Sequence, residues 1–368
     1  MGLLTTLTRV LPPPRYITLP AMGIDISDTS LKYVQFERVH AGDPNLALAQ
    51  WGDIPVPHGI VERGTVPDKG ALAEVLKSVK KKTGALYVNL SLPEERAYLF
   101  ETTLPRGITD KHARELIEFR LEENVPLSPR DAYFDHTYMK STAGDTAEED
   151  VLVAVYAQEV INSYYEACVT AELLPLSFEI EAQAIARSSI PRDEEGAFLV
   201  IDFGKTRTGI GIVHNGTLAY TSTVDISGIQ LSDAMRHVLG DIAEAELTTI
   251  KNTKGIVPMS GNEAVAKALL EIMHVLVEEL SVRMHYWHTR KNDNDERRIK
   301  KVFLCGGSSN MWGLPEFLTD VLKVPVERSP VWQNAFSLNT YVPPITRPYS
   351  YGYATAIGLA LRRFVSSV

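Results

Sequence analysis

The chain has 368 residues, with 37 Lys and Arg against 46 Asp and Glu for a formal net charge of −9, and 45% of it is hydrophobic. That length and apolar fraction suffice for two lobes with separate cores, and an acidic balance without a long basic run argues against nucleic acid as a partner. No apolar run approaches the ~18 residues that span a bilayer, and Cys168 and Cys305 show no pairing pattern, which reads as a reducing cytoplasm.

Met1-Gly2-Leu3-Leu4-Thr5-Thr6 fits a myristoylation pattern, but a flexible arm over residues 1–21 is the plainer reading. Leu3, Leu4, Leu7, Val10 and Leu11 form a short apolar face that Pro12-Pro13-Pro14 would end. Residues 22–87 read as strands followed by a helix from about Asp68 to Lys82, with Leu72, Val75, Leu76 and Val79 at helical spacing and Lys80-Lys81-Lys82 at the end that suits positive charge. A module of different rhythm is expected over 88–172: strands near 86–92 and 97–103, a helix near 110–124, strands near 132–140 and 150–157, and a helix near 158–172. A return segment spans 173–196. The second lobe is expected over 197–350, with a long helix near 262–289, and a last helix over 351–368. His285 and His288 flank Trp287 on that long helix, which reads as a helix face rather than a metal site.

One short pattern occurs twice, about half the chain apart. Gly23-Ile24-Asp25-Ile26-Ser27-Asp28-Thr29-Ser30 runs into Leu31-Lys32-Tyr33-Val34, and Val200-Ile201-Asp202-Phe203-Gly204-Lys205-Thr206 runs into Thr208-Gly209-Ile210. Each reads as an apolar strand, an aspartate, a tight small-residue turn and a second strand. Such turns expose successive backbone N–H groups that bind phosphate oxygens. A carboxylate at the strand end repels phosphate, so its natural partner is a hydrated Mg²⁺ bridging to it. Asp25 and Asp202 are therefore candidate Mg²⁺ residues, with Ser27, Thr29, Lys32, Gly204, Lys205 and Thr206 candidates around the phosphates. Gly306-Gly307-Ser308 follows a third strand and would let a nucleoside lie against bare backbone.

These three segments in this order resemble the actin–Hsp70–sugar kinase superfamily, and within it the PilM family of type IV pilus assembly, with the division protein FtsA a more distant likeness. The segments Ser91-Leu92-Pro93-Glu94-Glu95-Arg96-Ala97-Tyr98, Glu118 through Pro126, Phe178 through Arg187 and Tyr353 through Arg362 are similar to that family too. The resemblance implies an α/β, two-lobed, ribonuclease H-like fold with an α+β subdomain inserted in the first lobe. It implies ATP and Mg²⁺ between the lobes, and Glu279 and Arg283 near the nucleoside, although a solvated i,i+4 pair explains their spacing equally well. It implies a cytoplasmic scaffold that binds the N-terminal tail of a PilN-like inner-membrane protein and other pilus proteins, and meets the membrane only through them. The alternative is an ATP-hydrolysing relative or an FtsA-like division or secretion-platform protein. In that case Glu181, at the connector where related ATPases position water, is the candidate catalytic residue of a slow ATPase at most. Ser27 stands where the family usually has glycine. Lys205 and Arg207 depart from it as well, Arg207 being either a partner for phosphate or a plug in the pocket.

Overall fold

The structure is a computed structural model that describes residues 19–38, 46–139, 147–290 and 297–364. The apolar N-terminal face, the turn at Ala41-Gly42-Asp43-Pro44 and most of the polar Ser141–Glu149 turn lie outside the described residues.

Two five-stranded sheets share one topology. The first takes the order β3-β2-β1-β4-β8 from β1 (Ala21–Ile26), β2 (Ser30–Arg38), β3 (Leu46–Pro55), β4 (Tyr87–Leu92) and β8 (Leu174–Ile180). The second takes the order β11-β10-β9-β12-β13 from β9 (Ala197–Phe203), β10 (Thr208–His214), β11 (Thr217–Val224), β12 (Ile299–Cys305) and β13 (Val326–Arg328). In each, an antiparallel three-strand meander is extended by two parallel strands. Strands buried on both faces read as near-continuous apolar runs, and the buried run of β9, Ala197 through Ile201, fits that rule.

Helices cover the outer faces. On the first sheet lie α1 (Lys69–Thr83) and α3 (Gln158–Thr170), which bury Leu72, Leu76, Val79, Tyr164, Ala167 and Cys168 in the first core. The Asp68 side chain accepts from Ala71 N to start α1, and Gly84 at φ 67° ends it. On the second sheet lie α5 (Gly228–Leu239), which opens with a Ser227–Gln230 capping box, α6 (Glu244–Thr253), α7 (Glu263–Thr289) and α8 (Leu314–Leu322). Trp287 is fully buried on α7 and donates Nε1–H to Arg297 O at 2.8 Å, so that stretch of helix is core.

Between the sheets run α4 (Glu181–Ser189) and α9 (Ala354–Leu361). The first core crosses from one sheet to the other through this pair, taking in Val34 on one side and Phe198, Val200 and Phe303 on the other. The two helices touch backbone to backbone, since a Cβ added at Gly358 would sit 1.7 Å from Ala184 O, and α9 presses as closely on β1, where a Cβ at Gly23 would sit 2.2 Å from Ala356 O. Glu179 ties the layer together, pairing with Arg187 and accepting from Arg362 at 3.0 Å, while Arg187 also donates to Gly358 O at 3.0 Å.

The inserted body is smaller than the sequence suggests. β5 (Tyr98–Pro105), β6 (Ala132–Tyr138) and β7 (Glu148–Ala157) form their own sheet in the order β5-β7-β6, with α2 (Asp110–Asn124) on one face through Ala113, Ile117 and Leu121. The strand expected to open the insertion is β4, a central strand of the first sheet between β1 and β8. The helix expected to close it, α3, packs on α1. A wholly buried run, Val88 through Leu92, demands cover on both faces, and only the first lobe provides it.

Candidate functional site

Asp25 and Asp202 occupy equivalent places, each the second-last residue of the first strand of its sheet. Register sets them the same way: Asp25 stands opposite Lys32 on β2, and Asp202 opposite Gly209 on β10. The neighbouring parallel strand holds each carboxylate. Ser91 Oγ donates to Asp25 Oδ1 at 3.0 Å and also accepts from Ile26 N at 3.2 Å. Cys305 sits level with Asp202 on β12.

The two aspartates feel each other across the cleft. Burial, and then the Asp25 charge, push the Asp202 carboxyl from 3.8 up to about 6, with Lys32 and Arg207 pulling the other way. Burial raises Asp25 as well, against Lys32 and the Ser91 hydroxyl. Glu181, the first residue of α4, is raised well above the ordinary carboxylate range by burial, then by Asp25 and by Glu94. The sequence therefore brings Asp25, Lys32, Asp202 and Glu181 to one place.

The glycine turn joins them. Gly306 has φ 81°, a conformation L side chains rarely adopt, and an added Cβ would lie 2.4 Å from Asp202 Oδ1 and 2.5 Å from Phe203 O. Ser308 Oγ donates to Gly204 O at 3.3 Å, as does Gly228 N, from the first turn of α5, at 3.0 Å. Gly307 has open space at its α-carbon. The second turn is closed by Gly204 N on Arg207 O at 3.0 Å, leaving Lys205 exposed and Thr206 half-buried. In the first turn Ser27 uses its hydroxyl on its own loop, donating to Ser30 O at 3.0 Å and accepting from Ser30 N at 3.2 Å, so it tightens the turn. Thr29 O receives Val56 N at 3.1 Å, and Lys32 Nζ donates to Ser30 Oγ at 2.6 Å.

Glu279 and Arg283 are not part of this cluster. Arg283 pairs with Glu279 and donates from Nε to Ser222 Oγ at 2.7 Å. Ser222 stands opposite Ile210, which stands opposite Ile201, whereas Asp202 is one residue on and so points from the opposite face. The pair lines an open groove of about 410 Å³ with Tyr220, Val282 and Tyr286 on the α7 side of the sheet. Helical spacing places two residues on one helix face but does not say which face of the sheet that helix covers.

Two acids in the turn Glu94–Arg96 escaped sequence reasoning, because Pro-Glu-Glu-Arg reads as a polar turn. Glu94 is only 3% exposed, its Oε2 has no hydrogen-bond partner among the described residues, and Gly209 leaves room for it, since a Cβ there would lie 2.5 Å away. Burial, then Asp202 and Glu95, push its carboxyl up to about 8. Arg207 bridges the lobes: Nη1 donates to Asp28 Oδ2 at 2.7 Å and lies 3.2 Å from Glu95 Oε1. Lys251 on α6 is also buried, its ammonium pKa lowered by desolvation, and its carbonyl accepts Trp312 N at 3.1 Å beside the glycine turn.

Chemically this is a cleft of hard carboxylates with a surplus of acid over Lys32 and Arg207, which suits a divalent cation. Among the described residues no three His, Cys, Asp or Glu side chains stand close enough to hold a metal by themselves. A cation between Asp25 and Asp202 would therefore keep most of its waters, as Mg²⁺ prefers. Among the described residues no helix is long and apolar enough to cross a membrane.

The fold has relatives of known structure. A PilM-PilN type IV pilus biogenesis complex aligns with a TM-score of 0.76 at 23% identity, over 94% of this chain and 99% of that one. The ethanolamine utilization protein EutJ from Carboxydothermus hydrogenoformans gives 0.51 at 14% identity, over 95% and 90% of the two chains. MreB 5 of Spiroplasma citri bound to AMPPNP gives 0.50 at 12% identity, over 92% and 94%. The architecture is thus the actin-like two-lobed fold. The family model described as type IV pilus assembly protein PilM matches residues 23–364, nearly everything after the N-terminal arm, last helix included, and the chain belongs to the PilM family.

Proposed function

We propose that this protein is a cytoplasmic nucleotide-dependent scaffold of the type IV pilus assembly platform. It binds Mg²⁺-ATP between its lobes and the N-terminal tail of a PilN-like inner-membrane protein on its first lobe or insertion. The observation that carries the nucleotide half is the convergence of both aspartates, both tight turns and the Gly306–Ser308 turn on one cleft. A structural neighbour of the same fold is described with AMPPNP bound. Asp25 and Asp202 hold the hydrated cation, Lys32 and the turns meet the phosphates, and the glycine turn faces the nucleoside. The partner half draws on the family and on the neighbour described as a PilM-PilN complex.

The insertion offers a place for an extended peptide. Among the described residues β6 is hydrogen-bonded only to β7 and ends the sheet order, which leaves its outer edge for strand addition, with Tyr133 and Tyr138 exposed along it. Recruitment to the membrane then passes through the partner. A slow ATPase is the second reading, and Glu181 would position its water. Burial and the charges of Asp25 and Glu94 raise the Glu181 carboxyl well above the ordinary range, so it would accept a proton from water only once a bound cation lowers it.

The test is calorimetry with Mg²⁺-ATP on the purified chain and on Asp202→Ala, followed by titration of a PilN-like tail peptide. Binding lost in Asp202→Ala with the melting profile retained supports the cleft. Equal ATP affinity in the two proteins refutes it, and rapid turnover by the unaltered protein shifts the weight to an enzyme.

A further inference from the structure

Arg207 belongs to the second phosphate turn, yet its guanidinium is spent in the first lobe. It donates to Asp28 Oδ2 at 2.7 Å and stands 3.2 Å from Glu95 Oε1, and the three side chains are 16%, 15% and 17% exposed. This clasp is incomplete. Asp28 Oδ1 and both Glu95 carboxylate oxygens are buried without a hydrogen-bond partner among the described residues. A buried acceptor without a donor costs free energy that a better arrangement recovers, so the clasp is built to be exchanged.

We propose that Arg207 is the residue by which the cleft tells a nucleoside triphosphate from a diphosphate, giving up Asp28 and Glu95 for the terminal phosphate. This rests on the nucleotide reading above and adds to it a substrate class and a route of regulation. The nucleoside turn stands on the second-lobe side, bonded to Gly204 through Ser308 Oγ. The guanidinium reaches away from that turn into the first lobe. The phosphate farthest from the nucleoside is the group that meets it. A planar guanidinium takes a phosphate in two parallel charge-assisted hydrogen bonds, a better match than the single hydrogen bond it makes to Asp28.

The exchange has a mechanical consequence. Glu95 lies in the turn Glu94–Arg96, and β5 of the insertion begins at Tyr98. That turn is anchored at both ends: Arg96 Nε donates to Arg63 O at 3.1 Å, and Tyr156 Oη, on β7 of the insertion, donates to Pro93 O at 3.2 Å. Release of Glu95 thus acts at the root of the insertion, so a triphosphate is reported to the subdomain that offers the partner edge.

The experiment compares ADP with the non-hydrolysable triphosphate AMPPNP, each with Mg²⁺, by calorimetry on the full chain, Arg207→Gln and Glu95→Gln. Hydrogen exchange over residues 94–105 provides a second readout. The unaltered chain is expected to bind the triphosphate about tenfold more tightly, the worth of one charge-assisted hydrogen bond. In Arg207→Gln that ratio collapses toward one while ADP affinity is kept, which also shows the cleft is intact. In Glu95→Gln, with the competing carboxylate gone, the ratio rises. Exchange over 94–105 increases with the triphosphate in the unaltered chain but not in Arg207→Gln. An unchanged ratio in Arg207→Gln overturns the proposal. Should that variant fail to fold, an unchanged ratio in Glu95→Gln overturns it. An unaltered chain that binds both nucleotides equally refutes this proposal alone, whereas one that binds neither refutes the nucleotide reading and this with it.

Discussion

Glu94 makes the stability of this protein depend on pH in an unusual direction. Its carboxyl is pushed from 4.5 to about 8 by burial and by the charges of Asp202 and Glu95. The folded chain therefore keeps this proton to about pH 8, while the unfolded chain releases it near 4.5. A raised carboxyl pKa favours folding fully at pH values below 4.5 and progressively less as pH climbs through 8. Each pH unit between those limits removes about 1.4 kcal/mol, to a total of roughly 5 kcal/mol. At 3% exposure Glu94 has little solvent to screen it. Urea unfolding of the native chain and of Glu94→Gln at pH 5, 6, 7 and 8 reads this group together with the push its charge gives to Glu181. The glutamine variant starts near or below the native chain at pH 5. It then gains on it by about 1.4 kcal/mol per pH unit. A constant difference between the two across that range would show that Glu94 is ionised in the folded cleft and that the reasoning is wrong.

Gly358→Ala is expected to unfold the chain or cost several kcal/mol, about what severe overpacking costs, because its Cβ would lie 1.7 Å from Ala184 O; soluble yield and melting temperature check this. Glu179→Gln leaves Arg187 without its carboxylate partner and weakens the tie to Arg362, and a loss of about 3 kcal/mol in urea unfolding is expected for one partner of a buried ion pair. Gly306→Ala combines a positive φ with a Cβ 2.4 Å from Asp202 Oδ1, so calorimetry should show loss of nucleotide binding at a stability cost of about 1–3 kcal/mol.

Much of the site was legible because its chemistry sits at strand ends. A buried strand, an aspartate and a small-residue turn form a local pattern, and twofold recurrence placed Asp25 and Asp202 on equivalent walls. Helices α1, α2 and α7 followed from spacing alone. What stayed hidden depends on which sheet an element joins. The alternation in β4 says strand, yet nothing local says that it lies between β1 and β8 rather than in the insertion. That Glu279 and Arg283 lie apart from the aspartate cluster was hidden for the related reason that a helix face does not name its sheet face. Glu94 and Glu95 were missed because their surroundings come from more than a hundred residues later, where Gly209 on β10 admits the Glu94 side chain and Arg207, in the turn before it, meets Glu95.

The placement of α9 bears on how this chain comes into being. Asn89 Nδ2 bonds to Leu359 O at 3.0 Å, and α9 covers the Gly23 face of β1, a strand that precedes the whole second lobe in the chain. The first lobe cannot finish until the whole of the second has left the ribosome. Contacts of such long sequence separation slow folding, and in the meantime the inner face of the first sheet stays open to association. The second lobe, whose core draws chiefly on residues 197–326, can consolidate on its own. It then delivers α9 back across the gap, so assembly should run from the later lobe to the earlier one.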